Sequence, residues 1–192
     1  VLFAAGIKLY WFAGGGAALM GLVVLMMSGY QSTRILVWQD PWAYPRDGGY
    51  QIIQSLYAIG SGGLLGLGLG KSRQKFLFLP EEHNDFIFSI ACEELGLVGA
   101  GIIMLLFAAL ILRGYWIALH TRDRFGTLLA VGFTTQLAVQ VFLNISVVTG
   151  LLPTTGISLP FFSYGGTALL IQLAEMGVIL SVSRQMKPTK AG

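Results

Sequence analysis

Long charge-free apolar runs, punctuated by short charged segments, are the main pattern along this chain. No Asp, Glu, Lys or Arg occurs between Lys8 and Arg34. A membrane-crossing helix needs about 20 predominantly apolar residues, so residues 9–29 form a first candidate span. A second run, Leu95 to Leu112, ends at Arg113. It is extended back to Phe86, with Glu93 and Glu94 in its first turns. From Phe125 to Ala174 there is again no charge, but Gly150, Pro153, Gly156 and Pro160 fall in the middle. Proline removes a backbone donor and glycine loosens a helix. Two spans, near 126–149 and 164–183, joined by a loop are therefore predicted. The fold class is all-α integral membrane, with four spans and a long polar connection over residues 30–85.

That connection carries its own pattern. Ile52, Ile53, Leu56 and Ile59 recur at helical spacing, which predicts an amphipathic helix lying at the membrane interface. Gly60-Ser-Gly-Gly-Leu-Leu-Gly-Leu-Gly-Leu-Gly70 follows. So glycine-rich a segment suits close backbone packing or hinge motion rather than ordinary helix.

Composition agrees with a lipid-facing surface. The chain of 192 residues is 55% hydrophobic and 11% charged, against roughly 25% charged in soluble domains. The mean hydropathy is +0.72. Its single cysteine, Cys92, excludes an internal disulfide and a cysteine metal site, and reads as a small packing residue. The net charge of +3 acts as topology bias rather than as a nucleic-acid footprint. Arg113, Arg122 and Arg124 oppose Asp123 in one short loop, and Arg184, Lys187 and Lys190 lie in the tail. The positive-inside rule puts both in the cytoplasm, with Lys8 and the N-terminus, and the 30–85 connection outside. That connection holds five basic and five acidic residues, so it weighs little on the orientation. A chain that opens at Val1 in an apolar stretch, without a cleavable-signal pattern, is read as beginning inside a larger protein.

Several groups could carry chemistry. Gly66-Leu-Gly-Leu-Gly-Lys-Ser72 resembles a phosphate loop, but that loop needs glycine where Leu65 stands, and no strand precedes it. An ATP site is therefore rejected. Lys71, Arg73 and Lys75 alternate and would point the same way in an extended segment; they suit a pyrophosphate or lipid headgroup, or form a solvated strip. Asp85 stands just before an apolar run, where its simplest role is a helix N-cap. The alternative is a general base at the membrane interface. His83 is nearby and suits hydrogen bonding or titration. Gln136, Gln140 and Asn144 recur every four residues as one polar face, for interhelical hydrogen bonds or a substrate cavity. Glu175 is an isolated charge within the last span.

Tyr50-Gln-Ile-Ile-Gln-Ser55, Gln74-Lys75, Leu79-Pro-Glu81, Asp85-Phe-Ile-Phe88, Glu94-Leu-Gly96 and Leu159-Pro-Phe-Phe-Ser-Tyr-Gly-Gly166 occur in that order. Together they resemble the SEDS proteins, the group of FtsW, RodA and SpoVE. Gly70-Lys-Ser-Arg-Gln-Lys75, without an inserted residue, looks more like FtsW and SpoVE than RodA. The resemblance runs across nearly the whole chain and implies the last four spans of an about ten-span bundle. It implies a peptidoglycan glycosyltransferase that polymerises lipid II at the outer face of the bacterial cytoplasmic membrane, in division or sporulation. The implied partners are a class B penicillin-binding protein and membrane proteins of the division complex, with no nucleic acid. The family's outer-loop aspartate maps onto Asp85 as catalytic base. Lys71, Arg73, Lys75, Glu81, His83, Gln54 and Ser163 are assigned to substrate, with no protein metal site. A divalent cation, Mg or Mn, is an optional addition. Two departures are His83-Asn84, where the family often has His-Thr, and Glu175, where it usually has an apolar residue; the latter argues against catalysis by Glu175. The alternatives are a lipid II flippase and a non-catalytic scaffold of the division complex.

Overall fold

The computed structural model describes residues 14, 29–46, 49–72 and 85–185. The first candidate span, near 9–29, lies outside these apart from residues 14 and 29. Five helices follow in chain order: α1 (Gly29–Gln39), α2 (Gly49–Gly62), α3 (Ile87–His120), α4 (Arg124–Val148) and α5 (Gly166–Arg184). No strand occurs among the described residues. The last three helices are long and apolar enough to cross a membrane.

α3 and α4 form an antiparallel pair. The turn between them is set by Asp123, the N-cap of α4, whose carboxylate accepts from the Gly126 amide at 2.9 Å. A short side-chain acceptor there satisfies one of the orphan donors at a helix start. Gly114 of α3 lets the helices approach closely, since a methyl group added there would run into the Thr134 side chain. One core cluster, with Phe88, Ile103, Phe107, Val141, Val148 and Leu159, lies toward the loops. A second, with Ile117, Ala118, Ala130, Ile179 and Val182, lies toward the Asp123 turn. Leu105, Leu106, Phe142, Leu170 and Leu180 point outward, as lipid-facing side chains do.

α2 carries the amphipathic stripe, with Ile52 and Ile53 buried. Its polar member Ser55 is fully buried and bonds to Val148 and Ser89. The stripe therefore docks on α3 and α4, within protein.

α3 is not continuous. Gly96 interrupts it at φ 69°, ψ −171°. An unbroken helix would pair the Leu97 amide with the Glu93 carbonyl and the Val98 amide with the Glu94 carbonyl. Instead Leu97 and Val98 donate to the carbonyls of Gly63 and Leu64, at 2.9 and 3.2 Å, while Glu93 and Glu94 accept from Leu67 and Gly68, at 2.9 and 3.0 Å. The glycine-rich segment thus re-pairs both halves of two opened rungs. In a membrane setting such groups must be satisfied within the protein. Glycine is required for the approach: a methyl group at Gly62 or Gly66 would collide with the α3 backbone at Cys92 or Glu94. Close backbone packing is the role these glycines take.

Candidate active site

The segment after α4 folds back over the bundle instead of simply crossing to α5. Trp38 donates to the Gly150 carbonyl at 2.8 Å and Arg34 to that of Thr154 at 2.9 Å, which ties the segment to α1. Gln140 donates to the Ser158 carbonyl at 3.2 Å. Asn144, almost fully buried, donates to the carbonyls of Ile157 at 2.7 Å and Asp85 at 2.8 Å. Gln172 of α5 accepts from the Phe161 amide at 2.9 Å, and Ser163 accepts from the Leu159 amide at 2.7 Å. Side-chain amides thus replace the regular ladder that Pro153, Gly156 and Pro160 prevent. Phe161 sits at φ 64°, a conformation unusual for a bulky residue. The polar face of α4 therefore works mainly as backbone support. Its third member, Gln136, donates to Glu175 at 3.0 Å across the α4–α5 interface.

These contacts surround a cavity of about 190 Å³ lined by Asp85, Ser158, Leu159, Ser163, Tyr164, Gly165, Ala168 and Gln172. Asp85 is half-buried, and a methyl group on Gly156 would lie 3.5 Å from its Oδ2. The N-cap of α3 is Phe86, without a side-chain hydrogen bond. The helix-cap role expected for Asp85 is thus corrected: the first turn begins one residue too late for that carboxylate to cap it. The cavity is also met by the start of α5, whose N-cap Gly165 carries no side-chain cap. The amides and dipole of a helix N-terminus favour negative charge. A carboxylate facing such a wall across a small polar space can accept a proton while an anion is held opposite.

The expected site residues are distributed unevenly. Asp85 and Ser163 line the same cavity. Lys71 is exposed on the glycine-rich segment and does not line it. Gln54 is half-buried on α2, away from the cavity lining. Arg73, Lys75, Glu81 and His83 lie outside the described residues. Between Lys71 and Asp85 the ends of that segment are anchored. Ser72 donates to the buried Glu93 carboxylate, and Asn144 holds the Asp85 carbonyl. Glu93 was legible only as a charge near the start of a span, and its bond to Ser72 carried no sequence signal. Among the described residues, no three His, Cys, Asp or Glu side chains converge as a metal cluster.

A helical membrane protein with a carboxylate-bearing cavity under a folded-back loop is the class that fold and site define. The chain belongs to the cell cycle protein family of FtsW, RodA and SpoVE, which matches residues 1–188. It is 51% identical over 186 residues to stage V sporulation protein E of Bacillus subtilis (strain 168), covering 96% of this chain and 51% of that protein. It is 49% identical over 189 residues to a protein of Geobacter sulfurreducens (strain DL-1 / KN400) named probable peptidoglycan glycosyltransferase FtsW, covering 97% and 51%. Among solved structures it is similar to a chain from the structural coordination of polymerization and crosslinking by a peptidoglycan synthase complex. The TM-score there is 0.69 and the identity 32%, with 94% of this chain and 51% of that one covered. The chain spans about half the length of the curated relatives it matches.

Proposed function

We propose that the protein to which this chain contributes is a peptidoglycan glycosyltransferase that polymerises lipid II, with Asp85 as its catalytic base. The observation that carries the reading is Asp85 itself. Its carboxylate is not the α3 cap and borders a cavity with Ser163 and the start of α5. The family and the name of the Geobacter relative support the reaction class.

The chemistry asks little of the protein. A sugar hydroxyl of one lipid II attacks the anomeric carbon of another, forming the glycosidic bond as the bond to the diphosphate breaks. That diphosphate leaves as an anion and needs no general acid. One base must take the hydroxyl proton, and positive charge must meet the departing group. Glycoside hydrolysis, by contrast, normally employs two carboxyl groups. Asp85 is assigned the proton. Lys71, Arg73 and Lys75 are assigned the diphosphate, and the N-terminus of α5 supplements them. Glu81, His83, Gln54 and Ser163 are assigned to substrate contacts. A divalent cation, Mg or Mn, would add to the charge at the diphosphate. The reading places the protein in the bacterial cytoplasmic membrane, with the Asp123 turn and the C-terminal tail in the cytoplasm, beside a class B penicillin-binding protein and division-complex membrane proteins.

The test is glycan polymerisation by the full-length protein with its penicillin-binding partner, supplied with lipid II. Asp85→Ala and Asp85→Asn should abolish polymer while the protein keeps its monodisperse size-exclusion peak in detergent. Near-normal polymer from Asp85→Asn would remove the base. Transport of lipid II across vesicles that survives Asp85→Ala would favour a flippase instead.

A further inference from the structure

Toward the Asp123 turn, α3, α4 and α5 leave a second cavity of about 310 Å³. Leu110, Ile117, Leu137, Met176 and Ile179 form its walls, and Phe161 closes the far end. Among the described residues, two polar side chains line it, Arg113 and Thr134. Beyond Phe161 the apolar surface continues as a shallower cavity of about 170 Å³ that reaches Phe107 and Ile103 and shares Leu110 and Phe161.

The two polar groups have unusual surroundings. Arg113 packs its guanidinium over the Trp116 ring at 4.2 Å, and Trp116 stacks in turn on His120 at 4.4 Å. Stacking holds the guanidinium in place and leaves its edge donors available. No carboxylate pairs with it among the described residues. Thr134 is 1% exposed, and its hydroxyl has no hydrogen-bond partner among the described residues. That hydroxyl faces Gly114 in the α3–α4 contact and is closed off from the groove, so Arg113 is the polar group the groove offers.

We propose that this groove binds one anionic phospholipid, with its phosphate at Arg113 and an acyl chain running past Phe161 toward Ile103. The dimensions agree. Ten residues of helix separate Arg113 from Ile103, about 15 Å at ~1.5 Å per residue. That is half of the ~30 Å hydrocarbon core, the depth of one leaflet. Arg113 also ends the charge-free run of α3, and Tyr115 and Trp116 follow it, as aromatic side chains do at the headgroup level. An arginine in place of a neutral mouth selects an anionic over a zwitterionic headgroup. The site does not depend on the polymerase reading.

The test uses the full-length protein in phosphatidylcholine vesicles doped with phosphatidylglycerol that carries a diazirine at its acyl terminus. A parallel sample contains phosphatidylcholine with the same tail. After photolysis, phosphatidylglycerol adducts should map to the Ile103–Leu110 stretch and to Phe161, in excess over those of phosphatidylcholine. Unlabelled phosphatidylglycerol should displace the label, whereas unlabelled phosphatidylcholine should not. Arg113→Gln should lower phosphatidylglycerol labelling about five-fold, as expected for losing one basic contact with an anionic headgroup. Equal labelling by the two lipids in the wild-type protein would overturn the headgroup assignment. Adducts absent from the groove would overturn the site altogether, because another part of the full-length protein then fills it.

Discussion

Asn144 holds the backbone of Asp85: its side-chain nitrogen donates to the Asp85 carbonyl at 2.8 Å, from a helix 59 residues further along the chain. The same nitrogen donates to Ile157 at 2.7 Å, so one buried amide fixes the proposed base and the loop that roofs its cavity. Asn144→Leu keeps the approximate volume and leaves two carbonyls without their donor. Unfolding stability should fall by about 1–3 kcal/mol, and polymerisation should fall further than Asn144-distant variants of equal stability. Thermal unfolding in detergent, read beside polymer yield, separates the two effects. A stability loss without any activity loss would mean that Asn144 does not position Asp85.

Ser55 makes an ordered pair of bonds. Its hydroxyl lies 2.6 Å from the Val148 carbonyl and 2.7 Å from the Ser89 hydroxyl. A hydroxyl has one proton, so Ser55 donates to Val148 and accepts from Ser89. Ser55→Ala leaves a buried carbonyl and a buried hydroxyl without this partner. Ser89→Ala removes only a donor to an oxygen that keeps its own acceptor. Ser55→Ala should therefore cost about 1–3 kcal/mol and Ser89→Ala clearly less, in the same unfolding assay. The reverse order would show that the Ser55–Val148 bond is not what holds α2 on α4.

Glu175 presents the opposite case, a mid-span charge without a place in the proposed reaction. It accepts from Gln136 across two helices and does not line the Asp85 cavity. Glu175→Gln preserves an acceptor and should keep polymerisation close to wild type. Glu175→Leu strands the Gln136 amide and should cost about 0.6–2 kcal/mol, the range for such bonds between membrane helices. Loss of polymer in Glu175→Gln with intact folding would return Glu175 to the site.

α4 and α5 were legible because membrane spans are written in long charge-free runs, and they begin and end within about two residues of the runs that announced them, whereas α1 lies in the stretch read as a polar connection and was missed. α3 continues past Arg113 to His120, because a long cationic side chain can lie along its own helix over Trp116 instead of ending the run. The polar face at Gln136, Gln140 and Asn144 was legible as a face, but its main partners were not. They are backbone carbonyls of a loop whose path no periodicity encodes. Asp85 was legible as a candidate from its position and from the family motifs. Its release from capping depends on the helix starting at Ile87, a difference of a residue or two that pattern cannot resolve. The break in α3 was hidden for a similar reason: Gly96, Gly99 and Gly101 stand close together, and only the approach of the Gly62–Gly68 segment selects the first.

That selection gives the sharpest contrast in the chain. Gly96 occupies φ 69°, ψ −171°, a region essentially confined to glycine and costing about 1–3 kcal/mol for other residues. A methyl group there would also strike the Gly66 amide nitrogen and the Leu64 carbonyl, which are backbone atoms that cannot swing aside. Gly96→Ala should therefore open the re-paired rungs, and the full-length protein should lose its monodisperse size-exclusion peak in detergent. Gly101 lies five residues further along α3, with nothing within 4 Å of an added methyl group. Gly101→Ala should leave the peak intact and raise stability by up to about 1 kcal/mol, the helix-interior advantage of alanine over glycine. If both substitutions were equally harmless, the backbone pairing between the glycine-rich segment and α3 would not hold the fold together.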